Sequence, residues 1–215
     1  LLREQARDII HGALKGCEED QVIFCGSGAT SAINKLIDIL NLRLPADLDE
    51  RYQLQQHIPA SERAVVFIGP YEHHSNELPW RETTADLVVI PLDKNGQIDI
   101  ETLASKLQEY SERQLKIGSF SAASNVTGIK SDVDKISALL HKNGAQAFWD
   151  YAAAAPYVAI DMNATNGDQN CGKDAVFLSP HKFIGGPGTP GILVVKKHLL
   201  NNRVPAMPGG GTVMY

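Results

Sequence analysis

The sequence predicts an α/β protein: three layers, with a mostly parallel sheet flanked by helices. Short runs of branched and aromatic residues alternate with segments whose apolar residues recur at helical spacing. Parallel strands need crossover connections, and the connections here have helical periodicity. Polar and potentially reactive residues collect just after the apolar runs, where ligands gather in such sheets.

Taken in order, Leu2, Ala6, Ile9, Ile10, Ala13 and Leu14 mark an amphipathic helix ending near Gly16. Gln21–Phe24 reads as a short strand, followed by the turn Gly26-Ser27-Gly28-Ala29-Thr30-Ser31 and a helix over Ala32–Leu40. A helix start leaves N–H groups unpaired and its dipole favours negative charge, so this geometry suits an anion. The same pattern also serves an N-capped helix after a tight turn. It lacks the Walker lysine and the spaced G-x-G-x-x-G of nucleotide sites.

Residues 41–62 are polar, with Pro45 and Pro59, and are expected to form a loop or short helix at the surface. Arg63–Ile68 is a buried strand by length and branching. It runs into Gly69-Pro70-Tyr71-Glu72-His73-His74-Ser75-Asn76, with Pro79-Trp80 beyond. Adjacent histidines face opposite ways in extended chain, so His73 and His74 do not suit one metal ion. Leu87–Ile90 is the next strand, Asp93–Gly96 a turn, and Ile100–Tyr110 a helix beginning after Asp99.

Leu115–Phe120 is another strand, leading into Ser121-Ala122-Ala123-Ser124-Asn125-Val126-Thr127-Gly128. Val133, Ile136, Leu139 and Leu140 mark a helix stopping near Asn143-Gly144, and Gln146–Trp149 is a strand that delivers Asp150 at its end. Tyr151 and four alanines follow; small residues beside a strand-end acid leave room for a ligand. Asp174–Ser179 forms a strand that ends at Pro180-His181-Lys182 and a glycine-rich turn, and Ile192–Lys196 returns as its neighbour.

Composition narrows the function classes. The chain has 215 residues, 43% hydrophobic and 21% charged, with a formal charge of −5 and a pI near 5.8. One large domain is expected, without the basic patch that nucleic acid or an anionic membrane requires. No apolar run approaches the roughly 20 residues of a membrane span. Cys17, Cys25 and Cys171 have no metal-ligand spacing and an odd count, which points away from a zinc site or disulfide framework and toward a reducing compartment. Cys25 is expected to be a small core residue. With no basic-then-apolar leader in view, the setting expected is cytoplasm or an organelle matrix. Both ends read as interior positions of a longer protein.

Asp150, Lys182, His73 as an aromatic platform and the glycine turn suggest a cofactor with a phosphate, a ring nitrogen to protonate and an aldehyde. Pyridoxal phosphate has all three. Its aldehyde takes a lysine amine, and a carboxylate beside the ring nitrogen keeps it protonated, which makes the ring an electron sink.

Five motifs in order carry a resemblance: Gly28-Ala29-Thr30, Glu72-His73-His74-Ser75-Asn76 with Pro79-Trp80, Ser124-Asn125-Val126-Thr127-Gly128, Trp149-Asp150, and Ser179-Pro180-His181-Lys182 with its glycines. Together they resemble the class V aminotransferases of the fold-type I pyridoxal-phosphate enzymes, with cysteine desulfurases and selenocysteine lyases as the most similar branch. The resemblance implies Lys182 as the Schiff-base lysine and proton carrier, and Asp150 as partner of the ring nitrogen. It places His73 on the ring face, Ala29, Thr30, Ser179 and His181 on the phosphate, and Asn125 near the phenolic oxygen. Thr212 would reach the phosphate of a neighbouring subunit in a homodimer.

The resemblance further implies that residues 1–215 are the cofactor-binding large domain, incomplete at both ends, without the C-terminal small domain. Desulfurases usually carry a glutamine where this chain has Ala153. Their sulfur-accepting cysteine and carboxylate-binding arginine come from a C-terminal part not included in these residues. The reading is therefore an enzyme domain acting on a small amino acid, cysteine desulfurase-like. A class V aminotransferase, an amino-acid lyase or epimerase, and a non-catalytic cofactor-binding domain are the alternatives. A nucleotide- or sugar-phosphate-binding domain rests on residues 26–31 alone.

Overall fold

A computed structural model of the chain describes residues 1–167 and 169–209. Nine strands are described: β1 Asp20–Phe24, β2 Val65–Ile68, β3 Asp86–Val89, β4 Lys116–Ser121, β5 Gln146–Asp150, β6 Thr165–Asn166, β7 Gln169–Asn170, β8 Ala175–Leu178 and β9 Ile192–Lys196. The helices are α1 Leu2–Ala13, α2 Gly28–Ile39, α3 Ala46–Tyr52, α4 Leu78–Arg81, α5 Ile100–Glu109 and α6 Val133–Lys142. Seven strands make one sheet in the order β1-β9-β8-β5-β4-β2-β3, and β6 and β7 form a separate hairpin. Strands β3, β2, β4, β5 and β8 run parallel, while β9 is antiparallel to both β8 and β1. Reversing twice, β1 regains the direction of β8, so its end and those of the parallel strands share one edge.

Side chains alternate across each strand and sort the core into two faces. On one face Phe148, Phe177, Leu193 and Val195 pack with Ala32, Ile33, Leu36 and Ile37 of α2 and with Trp80. On the other, Phe67, Phe120, Trp149 and Val176 pack with Leu103 and Leu107 of α5 and with Ile136 and Leu140 of α6. The expected three layers follow directly. Buried aliphatic side chains of this size contribute about 1.5–3 kcal/mol each, so the sheet is the rigid part on which the loops are mounted.

Three local features differ from the sequence reading. Helix α2 begins at Gly28 rather than Ala32, so Gly28–Ser31 form its first turn. Ser27 is extended and Gly28 has φ +61°, a conformation that admits the helix start inside the glycine motif. Of the four alanines after Tyr151, Ala154 lies in the apolar core with Tyr151, and Ala153 and Ala155 are half-buried; only Ala152 reaches a cavity among the loops. The β6–β7 hairpin has strands of only two residues, too short to show a period. Helix α1 carries the expected amphipathic pattern, yet Leu2 and Ile9 stay exposed; Ile10 packs half-buried on the core, and Leu14, just past the helix end, is buried in it.

Opposite the loop-bearing edge, His141 ties three elements together. Its Nδ1 faces the Asn170 carbonyl at 3.0 Å and its Nε2 the Asp174 carboxylate at 2.8 Å, while Asp174 also accepts from Ala147 N. Two acceptors on one imidazole require both nitrogens to be protonated. Burial pulls the pKa down, but Asp174 and Asn170 outweigh it and the net direction is up from 6.5. A raised folded-state value contributes stability that is fully present below 6.5 and lost as pH rises through the folded-state value. We expect His141→Ala to cost about 1 kcal/mol below that range and much less in mild alkali, read from urea midpoints at several pH values.

Candidate functional site

The ends of β1, β2, β4, β5 and β8 deliver five loops to one edge of the sheet. There a cavity of about 300 Å³ is lined by Ser27, Gly28, Ala29, Thr30, His73, Ser75, Asp150, Ala152, Ser179, His181 and Lys182. Seven of the eight residues singled out from the sequence thus meet in one place: Ala29, Thr30, His73, Asp150, Ser179, His181 and Lys182. The eighth, Asn125, is exposed in the turn after β4 and does not line the cavity. That turn is shaped by Ser124 Oγ, which accepts from the amides of Val126 and Thr127, and by Gly128 at φ +73°. Thr212 lies outside the described residues.

The start of α2 forms one wall. The Gly191 carbonyl accepts from Cys25 N at 2.8 Å, and Gly191 N donates to the Gly26 carbonyl at 2.7 Å. A Cβ on Gly191 would overlap the Gly28 carbonyl, and one on Gly28 would press on His181 and Ser179, so both positions need glycine. Ala29 N donates to Ser179 Oγ at 2.8 Å. The backbone amide and the hydroxyl expected to hold a phosphate are therefore already joined, and the Ser179 proton remains to donate. Two further donors, Thr30 Oγ1 and the His181 ring, border the same wall.

Asp150 ends β5 inside the protein, only 4% exposed. Its Oδ1 accepts from Ala152 N at 2.8 Å. Burial pushes its carboxyl above 3.8, with the Ala152 amide, Lys182 and His73 pulling the other way. Lys182 occupies a one-turn 3-10 helix, Pro180–Lys182, whose Pro180 carbonyl sits so close to Gly186 that a side chain there would collide with it. The Lys182 side chain is exposed and forms no hydrogen bond or ion pair among the described residues.

His73 is presented by a loop that is braced from below by Glu72. The Glu72 carboxylate accepts from Gly69 N, Ser121 N, Ser121 Oγ at 2.7 Å and Asn76 Nδ2 at 2.8 Å. Asn76 in turn bridges Ser119 Oγ and the Trp80 indole N–H, both fully buried with it. Burial drives Glu72 up to about 7; the Ser121 and Asn76 bonds oppose this, and nearby Asp150 adds to it. The residues of the motif Glu72-His73-His74-Ser75-Asn76 thus divide into a brace and a presented ring. His74 turns away into a neighbouring cavity of about 500 Å³ with Asn34, Arg43 and Leu78, as expected for adjacent histidines.

Ser75 was not singled out from the sequence. Its Oγ receives a hydrogen bond from Thr30 Oγ1 at 2.7 Å and lies 2.9 Å from His73 Nδ1, which also accepts from Ser75 N. Its place inside a recognised motif was the available signal. Cys25 is half-buried beside the α2 layer; burial raises its thiol pKa, which suits packing rather than nucleophilic attack. A separate groove of about 630 Å³, with Ser131, Asp134, Tyr151 and Lys173 along it, gathers none of these residues.

A model of the aminotransferase class-V family matches residues 2–215. A probable cysteine desulfurase of Halalkalibacterium halodurans is 32% identical over 99% of this chain and 46% of its own length. A cysteine desulfurase of Synechococcus elongatus is 28% identical over 98% of this chain and 30% of its own. Among solved structures, the apo cysteine desulfurase of Thermococcus onnurineus has the same fold, with a TM-score of 0.72 at 21% identity, over 99% of this chain and 47% of that one. This chain spans less than half the length of these relatives. With a family match over nearly its whole length, the cavity above is built on the scaffold of a known group: the chain belongs to the aminotransferase class-V family.

Proposed function

We propose that the chain carries the pyridoxal-phosphate site of an enzyme acting on a small amino acid, with desulfuration of cysteine as the leading reaction. The observation that carries this reading is the pairing, in one cavity, of a buried Asp150 with the uncommitted amine of Lys182 and the donor-rich start of α2. A buried carboxylate with a single backbone donor calls for a cation, and a protonated ring nitrogen is one. Ser179, His181, Thr30 and the first turn of α2 fit a phosphate. The residues present therefore fit the cofactor, which when bound supplies an aldehyde for substrate capture and a ring that accepts electron density.

In this reading Asp150 holds a proton on the ring nitrogen by charge, and burial strengthens that interaction. Lys182 would hold the aldehyde through its amine and would carry a proton to and from the substrate. His73 would flank the ring and exclude water there. Ala153 is half-buried, does not line the cavity and has no side-chain donor, so the hydrogen bond usually supplied from its position is missing or comes from another group. Residues 1–215 act as the cofactor-binding large domain of a homodimer. The strongly exposed apolar side chains of Val126 and Ile184, in loops at the same edge, suit such an interface. The three free cysteines suit cytoplasm or an organelle matrix.

Substrate choice is decided by turnover. The protein with pyridoxal phosphate, cysteine and an added dithiol is expected to form alanine and transfer sulfane sulfur, which the dithiol reduces to sulfide as it is oxidised to its disulfide. Transfer of an amino group from alanine to a keto acid without sulfide release would instead favour the aminotransferase reading.

A further inference from the structure

We propose that Ser75 couples the anion-binding start of α2 to the His73 ring. The inference rests on the phosphate reading of that helix start, and it concerns how occupancy there is felt elsewhere in the site.

Three side chains form a directed line. Thr30 Oγ1 donates to Ser75 Oγ at 2.7 Å, and Ser75 Oγ stands 2.9 Å from His73 Nδ1. The direction of the second bond is set by the backbone: Ser75 N also donates to His73 Nδ1, at 3.1 Å, so that nitrogen is an acceptor and the neutral ring carries its proton on Nε2. The Ser75 hydroxyl proton therefore points at His73 and its lone pair receives the proton of Thr30.

Thr30 is exposed, lines the cavity, and has one proton to give. An anion at the helix start competes with Ser75 for that proton, and a charged acceptor makes the stronger bond. When Thr30 turns to the anion, Ser75 Oγ loses its donor, and its own O–H, no longer polarised by an incoming bond, becomes a weaker donor to His73. The ring keeps the Ser75 amide bond while the hydroxyl bond weakens. Occupancy of the α2 start is thus transmitted to the ring through one hydroxyl. Ser75 here is a positioning residue; it acts through His73 and Thr30.

The test uses inorganic phosphate as the anion, with the imidazole nitrogens of the histidine-labelled protein followed by nitrogen NMR. In the wild-type chain His73 Nδ1 is expected to be unprotonated, and phosphate is expected to move its resonance. Ser75→Ala keeps the amide bond and is expected to bind phosphate while most of the Nδ1 response is lost. Ser75→Thr, which retains the hydroxyl, is expected to restore it. Any direct charge effect of the anion persists in Ser75→Ala, so the difference between the two proteins reports the hydroxyl alone. An equal Nδ1 response in wild type and Ser75→Ala, or a wild-type His73 carrying its proton on Nδ1, would overturn the coupling. Failure of phosphate to bind the wild type would instead overturn the anion reading of the helix start.

Discussion

Lys182→Ala is expected to abolish turnover and leave the fold unchanged. The side chain is exposed and forms no hydrogen bond or ion pair among the described residues, so its removal should change stability by no more than about 0.5 kcal/mol. The same amine is assigned two chemical tasks, capture of the cofactor aldehyde and proton transfer. Loss of a positioned proton carrier alone lowers rates on the order of 10²–10⁴-fold, and loss of covalent capture adds to that. Rate measurements with saturating cofactor, paired with thermal unfolding, check both halves. A variant with near-normal turnover would show that Lys182 is a surface lysine.

Asp150→Asn is expected to separate function from stability. Asparagine keeps an acceptor for the Ala152 amide but cannot hold a proton on a ring nitrogen by charge, so turnover should fall by about 10²-fold or more. Stability should move the other way. The folded-state pKa of Asp150 lies above 3.8, so the stability tied to its protonated form is complete below that value and lost as pH rises through the folded-state value. At neutral pH without cofactor, where the same carboxyl is ionised in the unfolded chain, burying it is a net cost, and the neutral amide should be about 1 kcal/mol more stable. Added cofactor should then stabilise the wild type more than the variant. Urea unfolding with and without pyridoxal phosphate measures this; a variant that is both less stable and fully active would contradict the assignment.

The contrast between these two residues explains what was legible in the sequence. Strand ends were legible because branched apolar runs stop abruptly at Asp150, Ser179 and Gly69, and a parallel sheet brings such ends to one edge. Asp150 and Lys182 could be placed there without knowing a single contact. Interactions that depend on how loops fold onto one another were not legible. No periodicity shows that Ser75 reaches Thr30, 45 residues away, or that Glu72 braces β4 through Ser121.

The glycine motif was read as a turn preceding a helix because glycine usually interrupts one. The positive φ of Gly28 and its contact with Gly191 instead place the motif within the first turn of α2. Asn125, placed near the phenolic oxygen by the resemblance, stands apart from the other seven: Ser124 and Gly128 shape a turn in which it is exposed and does not line the cavity.

If Lys182, and no other lysine, is the cofactor's covalent partner, then incubation with pyridoxal phosphate, reduction with borohydride and peptide mapping by mass spectrometry are expected to find one reduced cofactor per chain, on the peptide containing Lys182. Label spread over exposed lysines such as Lys94 and Lys197, with Lys182 modified no more than they are, would contradict it.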